Sequence, residues 1–381
     1  MEFIGFDQIS RTEWDTIVRN SDDGWAFSLA GWLEMITPIW NMENLSFAIR
    51  ENNRLVAVMP LHWIPAEKRL SSSGWGHGGP SIISKDHQRI WRACWSQVDA
   101  IAADLGATRI SVSLSPICQS SLNNIWGVNP LVEVGYSDIS THTRIIDLRQ
   151  DNEQLWLGLA KDARQKIKYA QSLGYTVRRC PWKDFVEDYY RVHVENYQRT
   201  GVHPHPKPYF EGIASQPDEY YYLWVGFDPA GNAVAFHNNA RFKTAAMYHT
   251  GCSETAHLKS GINYLLFWEA ICGEKADGLI WYESGEAFPS AKDGKEKGLT
   301  DFKGKFGGEL HRIFRGEIII PIKQTEVPIV ESVNKRKVLR NWFNASRDLS
   351  SIIIGKGITG VIRKLLLGLF NILRIKENNE I

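Results

Sequence analysis

The sequence is poor in the features that mark secreted, membrane-spanning and nucleic-acid-binding proteins. Its 381 residues include only 5 cysteines, which are scattered and form no Cys-x-x-Cys pair. We therefore expect neither a disulfide framework nor a structural zinc site. Lys and Arg total 44 against 43 Asp and Glu, and this net charge of +1 gives no basic field for nucleic acid. The first residues lack a signal peptide's basic and apolar regions, so these absences predict a cytoplasmic protein.

What the chain does contain is a repeated order of predicted elements. Hydrophobic residues make up 43% and charged residues 23% of the chain, which is typical of a folded globular protein. The order α-α-β-β-β-α-β occurs twice, and each copy has a hairpin followed by a helix and a strand. The predicted helices are 11–20, 28–36, 86–105, 152–173, 183–199 and 261–275, the hairpins are 45–51/55–58 and 221–227/233–236, and the later strands are 108–114 and 279–283. The sequence therefore predicts a duplicated α/β domain, with boundaries at 1–145 and 146–322, each a mixed sheet flanked by helices.

The C-terminal segment, residues 323–381, differs from the rest in charge. It carries eleven Lys or Arg and five Asp or Glu, a net of +6. Apolar residues between Ile358 and Leu373 recur at helical spacing, with basic residues nearby, and charges interrupt the apolar run. This pattern favours a basic amphipathic helix, which would either lie on an anionic membrane surface or dock on the protein's own core. The first alternative predicts peripheral attachment at the inner face of the cell membrane.

The helix that opens the second half has a well-defined start. Asp151 and Gln154 have the spacing of a capping box, and Gly174 provides a C-terminal stop. Lys161, Arg164 and Lys168 fall on one arc of this helix. Such a run is most often a solvated face, and by itself it does not indicate a binding site.

Three groups of segments have a recognisable pattern: 159–170 with 173–175, 251–253 with 260–269, and 278–285 with 298–308. In this order they resemble the Fem-type transferases (FemA, FemB and FemX) and are similar to the related BioF2-like acetyltransferase domains. The first half matches only loosely, through residues 74–80 and the hairpin. The resemblance implies tandem GNAT-like domains with the acyl-CoA N-acyltransferase fold, of which the second carries most of the motifs.

The resemblance also implies an activity. Fem-type members transfer an amino acid from aminoacyl-tRNA to an amine of a peptidoglycan precursor, and BioF2-like members resemble acyltransferases of polysaccharide pathways. We therefore expect an acyl- or aminoacyltransferase that forms an amide on a cell-envelope precursor. One alternative is an acyl-CoA- or acyl-carrier-dependent N-acyltransferase of a nucleotide- or lipid-linked amino sugar, and another is an inactive membrane-tethered binding subunit. The donor is expected as a co-substrate, with no tightly bound cofactor and no metal.

Candidate site residues follow from the same motifs. The Phe-Lys-Gly-Lys-Phe segment makes Lys303 the candidate for stabilising the donor or transition state, and Glu283, at a strand end, could accept the amine's proton. The basic residues of the helix that opens the second half are suited to a phosphate-bearing acceptor. Together with candidates from other segments, they give this list of expected substrate-binding residues: Lys161, Arg164, Lys168, Tyr197, Arg199, His203, Asn263 and Lys305. A water-mediated or substrate-assisted route is equally open for the base.

The acyl-CoA alternative has a weak point in the loop before the last long helix. GNAT proteins that use acetyl-CoA generally show a Gln/Arg-x-x-Gly-x-Gly/Ala loop there, whose N–H groups bind pyrophosphate. Residues 258–263 contain a single glycine, Gly261. This departure weakens the expectation of standard acetyl-CoA binding without excluding it.

Overall fold

The computed structural model describes residues 1–72, 76–124 and 127–321, and these contain both predicted halves. Their helices are α1 (Arg11–Asn20), α2 (Ala30–Ile39), α3 (His87–Leu105), α4 (Gln119–Leu122), α5 (Asn152–Gly158), α6 (Lys161–Ser172), α7 (Val186–Arg199), α8 (Lys207–Ala214), α9 (Ile262–Ala276) and α10 (Gly294–Gly304). The predicted tail helix within 323–381 lies outside the described residues. Among the described helices, none is long and apolar enough to cross a membrane.

The strands form three sheets. In chain order they are β1 (Glu2–Gly5), β2 (Glu43–Asn44), β3 (Phe47–Glu51), β4 (Arg54–Met59), β5 (His62–Ile64), β6 (Arg69–Ser71), β7 (Ser81–Ile82), β8 (Arg109–Ser113), β9 (Ser137–Asp138), β10 (Thr141–Asp147), β11 (Thr176–Cys180), β12 (Tyr221–Phe227), β13 (Ala233–Phe242), β14 (Ala245–Ser253), β15 (Trp281–Ala287), β16 (Glu309–Ile313) and β17 (Arg315–Ile319). The sheet orders are β1-β3-β4-β7, β2-β5-β6-β8-β17-β9 and β11-β12-β13-β14-β15-β10-β16.

The predicted mixed α/β fold is confirmed, and both halves share one arrangement. Each has an antiparallel hairpin, β3–β4 or β12–β13. Each also has a parallel pair joined through a long helix, β6 with β8 across α3 and β14 with β15 across α9. The two parallel pairs are the positions at which a crossover helix returns the chain to the same sheet.

The two halves are held together by a strand that pairs across the predicted boundary and by a shared hydrophobic core. β17 lies at the end of the second half in sequence but pairs with β8 and β9 of the first. One core cluster contains Trp32 of α2 and Tyr221 of β12, whose rings stack at 5.0 Å. Residues 1–321 therefore form one compact unit, and the boundary at 145/146 stays a prediction about the chain's organisation.

The prediction of a single helix over 152–173 is wrong in one respect, because the structure has two helices there. The capping box is confirmed, since Asp151 and Gln154 exchange both hydrogen bonds at the start of α5. α5 then ends, because Leu159 adopts an extended conformation and buries its side chain. The N–H of Ala160 donates instead to the Lys305 carbonyl at 2.8 Å. A contact distant in sequence thus breaks a helix that the local pattern would continue.

Candidate active site

A split between two parallel strands shapes the candidate site. β14 and β15 pair over only three positions, 245–247 with 281–283. Beyond that point β14 continues against β13, while β15 continues against β10. Each strand also carries a bulge close to the split, at His249 in β14 and at Ser284-Gly285 in β15. Bulges increase the local twist and redirect side chains, so they favour the opening of a wedge between the two strands.

Lys303 extends into this wedge from the last turn of α10. Its Nζ donates to the Glu286 carbonyl of β15 at 2.9 Å and lies 5.7 Å from the centre of the Tyr248 ring of β14. The aromatic neighbours Phe302 and Phe306 pack on Phe267 and hold this end of α10 against α9. These contacts place the Lys303 ammonium between the two diverging strands, and the residue is only 8% exposed.

Gly285 makes room for that ammonium. Its φ of +97° belongs to the left-handed region that favours glycine. A Cβ built there would collide with Nζ of Lys303. Glycine at position 285 therefore serves two purposes. It allows the left-handed backbone of the bulge, and it leaves space for the Lys303 ammonium.

Glu283 lies beside Lys303 and is almost fully buried, at 2% exposure. Burial raises the pKa of Glu283 to about 7, although the Thr143 hydroxyl and the Lys303 ammonium both favour the anion. Burial likewise lowers the pKa of Lys303, and Glu283 and Glu286 oppose that shift. The site thus holds a carboxyl whose pKa is raised and an ammonium whose pKa is lowered, and such shifts are common in groups that take part in catalysis.

A cavity of about 470 Å³ opens beside Lys303. Its walls come from the end of α7, the second half of β14, the start of α9 and the last turns of α10. The predicted residues Tyr197, Asn263 and Lys303 all line it. Three of the residues selected from separate motifs are therefore brought together in one place.

His237 of β13 is a wall residue that sequence reasoning missed as a site residue. Its ring packs against Tyr248 and Phe267, with centroids 4.6 and 4.3 Å apart. Burial, together with the Lys303 charge, holds the pKa of His237 well below its usual range, so the ring is neutral. Its Nδ1 is buried without a hydrogen-bond partner among the described residues. Scattered histidines on strands gave no signal, because only the fold brings His237 to Lys303.

Arg199 and His203 lie near the cavity without lining it. The Arg199 guanidinium donates to the Thr255 hydroxyl at 2.6 Å and to Oδ1 of Asn196 at 2.6 Å, which ties the end of α7 to the turn after β14. His203 is exposed on the following loop. Thr200 and Val202 of that segment do line the cavity, so the loop borders the site through residues that were not selected.

The basic residues of α6 are placed outside the cavity. Arg164 donates to the Leu157 and Leu159 carbonyls at 3.0 and 2.6 Å, which are orphan acceptors at the end of α5. Nζ of Lys168 lies 5.8 Å from the Trp156 ring centre. Lys161 is exposed on the first turn of α6. These positions leave Lys161 and Lys168 accessible, whereas the Arg164 guanidinium is already engaged.

Lys305 joins three elements beside the cavity. Its Nζ pairs with Asp162 of α6 at 2.5 Å and lies 3.4 Å from the Tyr264 hydroxyl of α9. Its position links α6 and α9 to the end of α10, the helix that carries Lys303. No group of three or more His, Cys, Asp or Glu in the described ranges could hold a metal ion, and all five cysteines are free thiols.

Comparison with known proteins supports the fold and the enzyme class. Residues 159–303 match the acetyltransferase (GNAT) domain family. The chain is similar in structure to FemX, with a TM-score of 0.64 and 15% identity over 84% of this chain and 98% of that one. It is also similar to the L-PGS of Bacillus licheniformis, with a TM-score of 0.54 and 14% identity over 83% and 93% of the two chains. No curated protein sequence matches significantly.

A putative lysylphosphatidylglycerol synthetase of Agrobacterium fabrum resembles the chain to the same degree. Its C-terminal domain gives a TM-score of 0.54 and 15% identity over 81% of this chain and 90% of that one. At such identities these likenesses show the fold alone. The predicted GNAT fold and the predicted acyltransferase class are confirmed by the match of residues 159–303 to the GNAT acetyltransferase domain, together with the structural similarity to FemX.

Proposed function

We propose that this protein transfers an acyl or aminoacyl group to an amine of a cell-envelope precursor and forms an amide. The observation that carries the proposal is the Lys303 ammonium in the split between β14 and β15, at the wall of a cavity and next to a buried carboxyl. A preorganised cation in a partly dry site stabilises the negative charge that develops on a carbonyl oxygen or a leaving atom. The acceptor can be a peptidoglycan peptide or an amino sugar of a polysaccharide.

The reaction needs one bond formed, one bond broken and one net proton transfer. The neutral amine attacks the acyl carbon and forms a C–N bond, and the donor's C–S or C–O bond breaks. The proton lost by nitrogen ends on the leaving sulfur or oxygen. Lys303 is suited to deliver that proton, because its lowered pKa makes it a better acid than an exposed lysine. Glu283 is close enough to influence the Lys303 charge, and it stabilises the ammonium form between the proton-transfer steps.

The envelope acceptor is supported by resemblance. The motifs around residues 159–170 and 298–308 are similar to those of Fem-type transferases, for which a peptidoglycan precursor is the acceptor. One of the structurally similar proteins is named as a putative lysylphosphatidylglycerol synthetase. The exposed Lys161 and Lys168 on α6 are suited to a phosphate-bearing acceptor.

A donor and acceptor screen tests the proposal. The purified chain is incubated with acyl thioesters or charged tRNA and with lysine-containing precursor peptides or nucleotide-linked amino sugars, and products are identified by mass. We expect a product whose mass equals that of the acceptor plus the acyl group. This product should not form when the acceptor amine is blocked. Absence of transfer from every donor would contradict the proposal and favour the inactive binding subunit.

A further inference from the structure

The surface inside the cavity beside Lys303 is mainly apolar, although polar side chains also line it. The apolar side chains come from the loop after α7 and from β13, β14, α9 and α10: Val202, Phe236, Cys252, Phe267, Leu299 and Phe302. Phe236 and Phe267 are 0% and 2% exposed, so they are fixed parts of the wall. A ligand that buries apolar surface against this wall is bound more tightly, because removing apolar surface from water is favourable.

The charged side chains that line the cavity have one sign, and the buried Glu283 carboxyl lies next to Lys303 without lining the cavity. Its lining includes Lys295 and Lys303, and no Asp or Glu of the described residues is part of it. An aminoacyl group carries an α-amine, whose ordinary pKa of about 8 leaves it mostly protonated at neutral pH. The two lysines disfavour that charge, because like charges repel each other.

The cavity is also larger than an acetyl group requires. Its volume of about 470 Å³ lies within the range of pockets that hold whole ligands, roughly 300–1,000 Å³. An acetyl group bound at Lys303 would leave the apolar wall formed by α10 and the α7 loop uncovered. A longer acyl chain would cover it.

We propose that the transferred acyl group is uncharged, apolar and several carbons longer than acetyl. This inference rests on the proposed function and selects a class of donor for it. In the bound donor, the acyl carbonyl is adjacent to Lys303, and the chain extends along Phe267 and Phe302 toward Leu299. The bond changes are those already given, with the thioester C–S bond broken and the amide C–N bond formed.

The test measures kcat/KM for a series of pantetheine thioesters with unbranched acyl groups of two to ten carbons and one fixed amine acceptor. Burial of each methylene is worth about 0.8 kcal/mol, so we expect kcat/KM to rise about fourfold per carbon until the cavity is full. Glycyl thioester provides a matched comparison, since it is nearly isosteric with propionyl thioester but carries the amine. We expect propionyl to exceed glycyl at least tenfold. A profile that does not change with chain length, or a preference for glycyl, would overturn the inference.

Two variants at exposed leucines link the profile to this cavity. Leu299 is 37% exposed, so replacing it should not disturb the core. Leu299→Trp should move the optimum to a shorter acyl group, whereas Leu310→Trp, at a 44% exposed leucine of β16 outside the cavity, should keep the wild-type profile. An unchanged optimum in Leu299→Trp would show that the acyl chain binds elsewhere.

Binding separates failure of the inference from failure of the proposed function. S-octyl pantetheine is an unreactive thioether, and calorimetry measures its affinity without any turnover. Tighter binding of S-octyl than of S-ethyl pantetheine, weakened by Leu299→Trp, supports the apolar acyl site even if no acceptor reacts. Amide transfer without a chain-length preference would contradict the inference alone.

Discussion

At the scale of single residues, the site depends on a carboxyl and an ammonium that are held out of water. The sequence points to Lys303 because the segment of lysine, glycine and aromatics around it resembles the Fem-type motif, and to Glu283 because it stands at a strand end where that family often has Asp. It could not show that both side chains are buried, at 8% and 2% exposure. It also could not place His237 or Tyr248 beside them, since these residues come from other strands. Burial is what brings the proton affinities of the pair closer together.

Glu283→Gln should change the pH dependence of stability. The folded-state pKa of about 7 lies above the unfolded value of 4.5, so the folded protein binds this proton more tightly. The cost of ionising Glu283 is therefore absent below pH 4.5, grows as the pH rises to 7, and is constant above it. Relative to the variant, the wild type should lose about 3 kcal/mol of unfolding free energy between those limits.

Urea unfolding of both proteins at pH 4.5, 6 and 8 measures this difference. Glu309→Gln, an exposed position on β16, is the matched control and should show no such trend. A constant difference between wild type and Glu283→Gln across the three pH values would show that the buried carboxyl keeps an ordinary pKa.

Gly285→Ala tests the space reserved for Lys303. Gly278 is the matched control, because its φ of +85° is similarly strained but a Cβ there meets nothing within 4 Å. Both substitutions should lower the unfolding free energy by about 1 kcal/mol from the left-handed conformation. The Gly285 variant alone should also lose most of its turnover, since the new Cβ displaces Nζ. Equal turnover in the two variants would contradict the close approach.

At the scale of elements, most helices and strands could be predicted because their signals are local. The capping box at Asp151 and both hairpins follow from short-range chemistry. The break at Leu159 and the bulges at His249 and Gly285 could not be predicted. They depend on contacts with Lys305, β13 and β10, which are far away in sequence.

Arg164 and Lys161 should respond differently to substitution, although the same helix carries both. Arg164→Met removes two hydrogen bonds to the end of α5. Because the side chain is partly exposed, we expect a loss of about 1–2 kcal/mol of stability with little effect on the acceptor's KM. Lys161→Met should leave stability unchanged and raise the KM of a phosphate-bearing acceptor. Thermal unfolding and steady-state kinetics of the two variants check this. If Arg164→Met instead had a raised KM and normal stability, Arg164 would be a substrate-binding residue.

At the scale of the whole molecule, the two halves are similar in arrangement but differ where their parallel strands separate. The second half contains the split with Lys303. In the first half, the equivalent parallel pair β6–β8 is followed by a further bridge between Gly78 and Leu114. The repeat was visible in the sequence, because its element order recurs. The return of β17 to the first half was not visible, since a short strand gives no information about its partner.

This interlocking predicts cooperative unfolding of residues 1–321. β17 pairs with β8, and the Tyr221 hydroxyl donates to the Ala26 carbonyl at 2.8 Å across the halves. Hydrogen exchange followed through a urea titration should give the same midpoint for amides of β4 and β13. Two separate midpoints would show that the predicted domains 1–145 and 146–322 are independently stable.

The central claim is that the Lys303 ammonium stabilises charge during acyl transfer. The most direct test is the single-turnover rate of Lys303→Met at saturating donor and acceptor, beside Lys297→Met on the exposed side of the same helix. Loss of one preorganised donor typically lowers the chemical step by 10²–10³-fold. We expect about a 100-fold lower rate for Lys303→Met, with normal folding and a wild-type rate for Lys297→Met. A Lys303→Met enzyme that turns over at the wild-type rate would contradict the account.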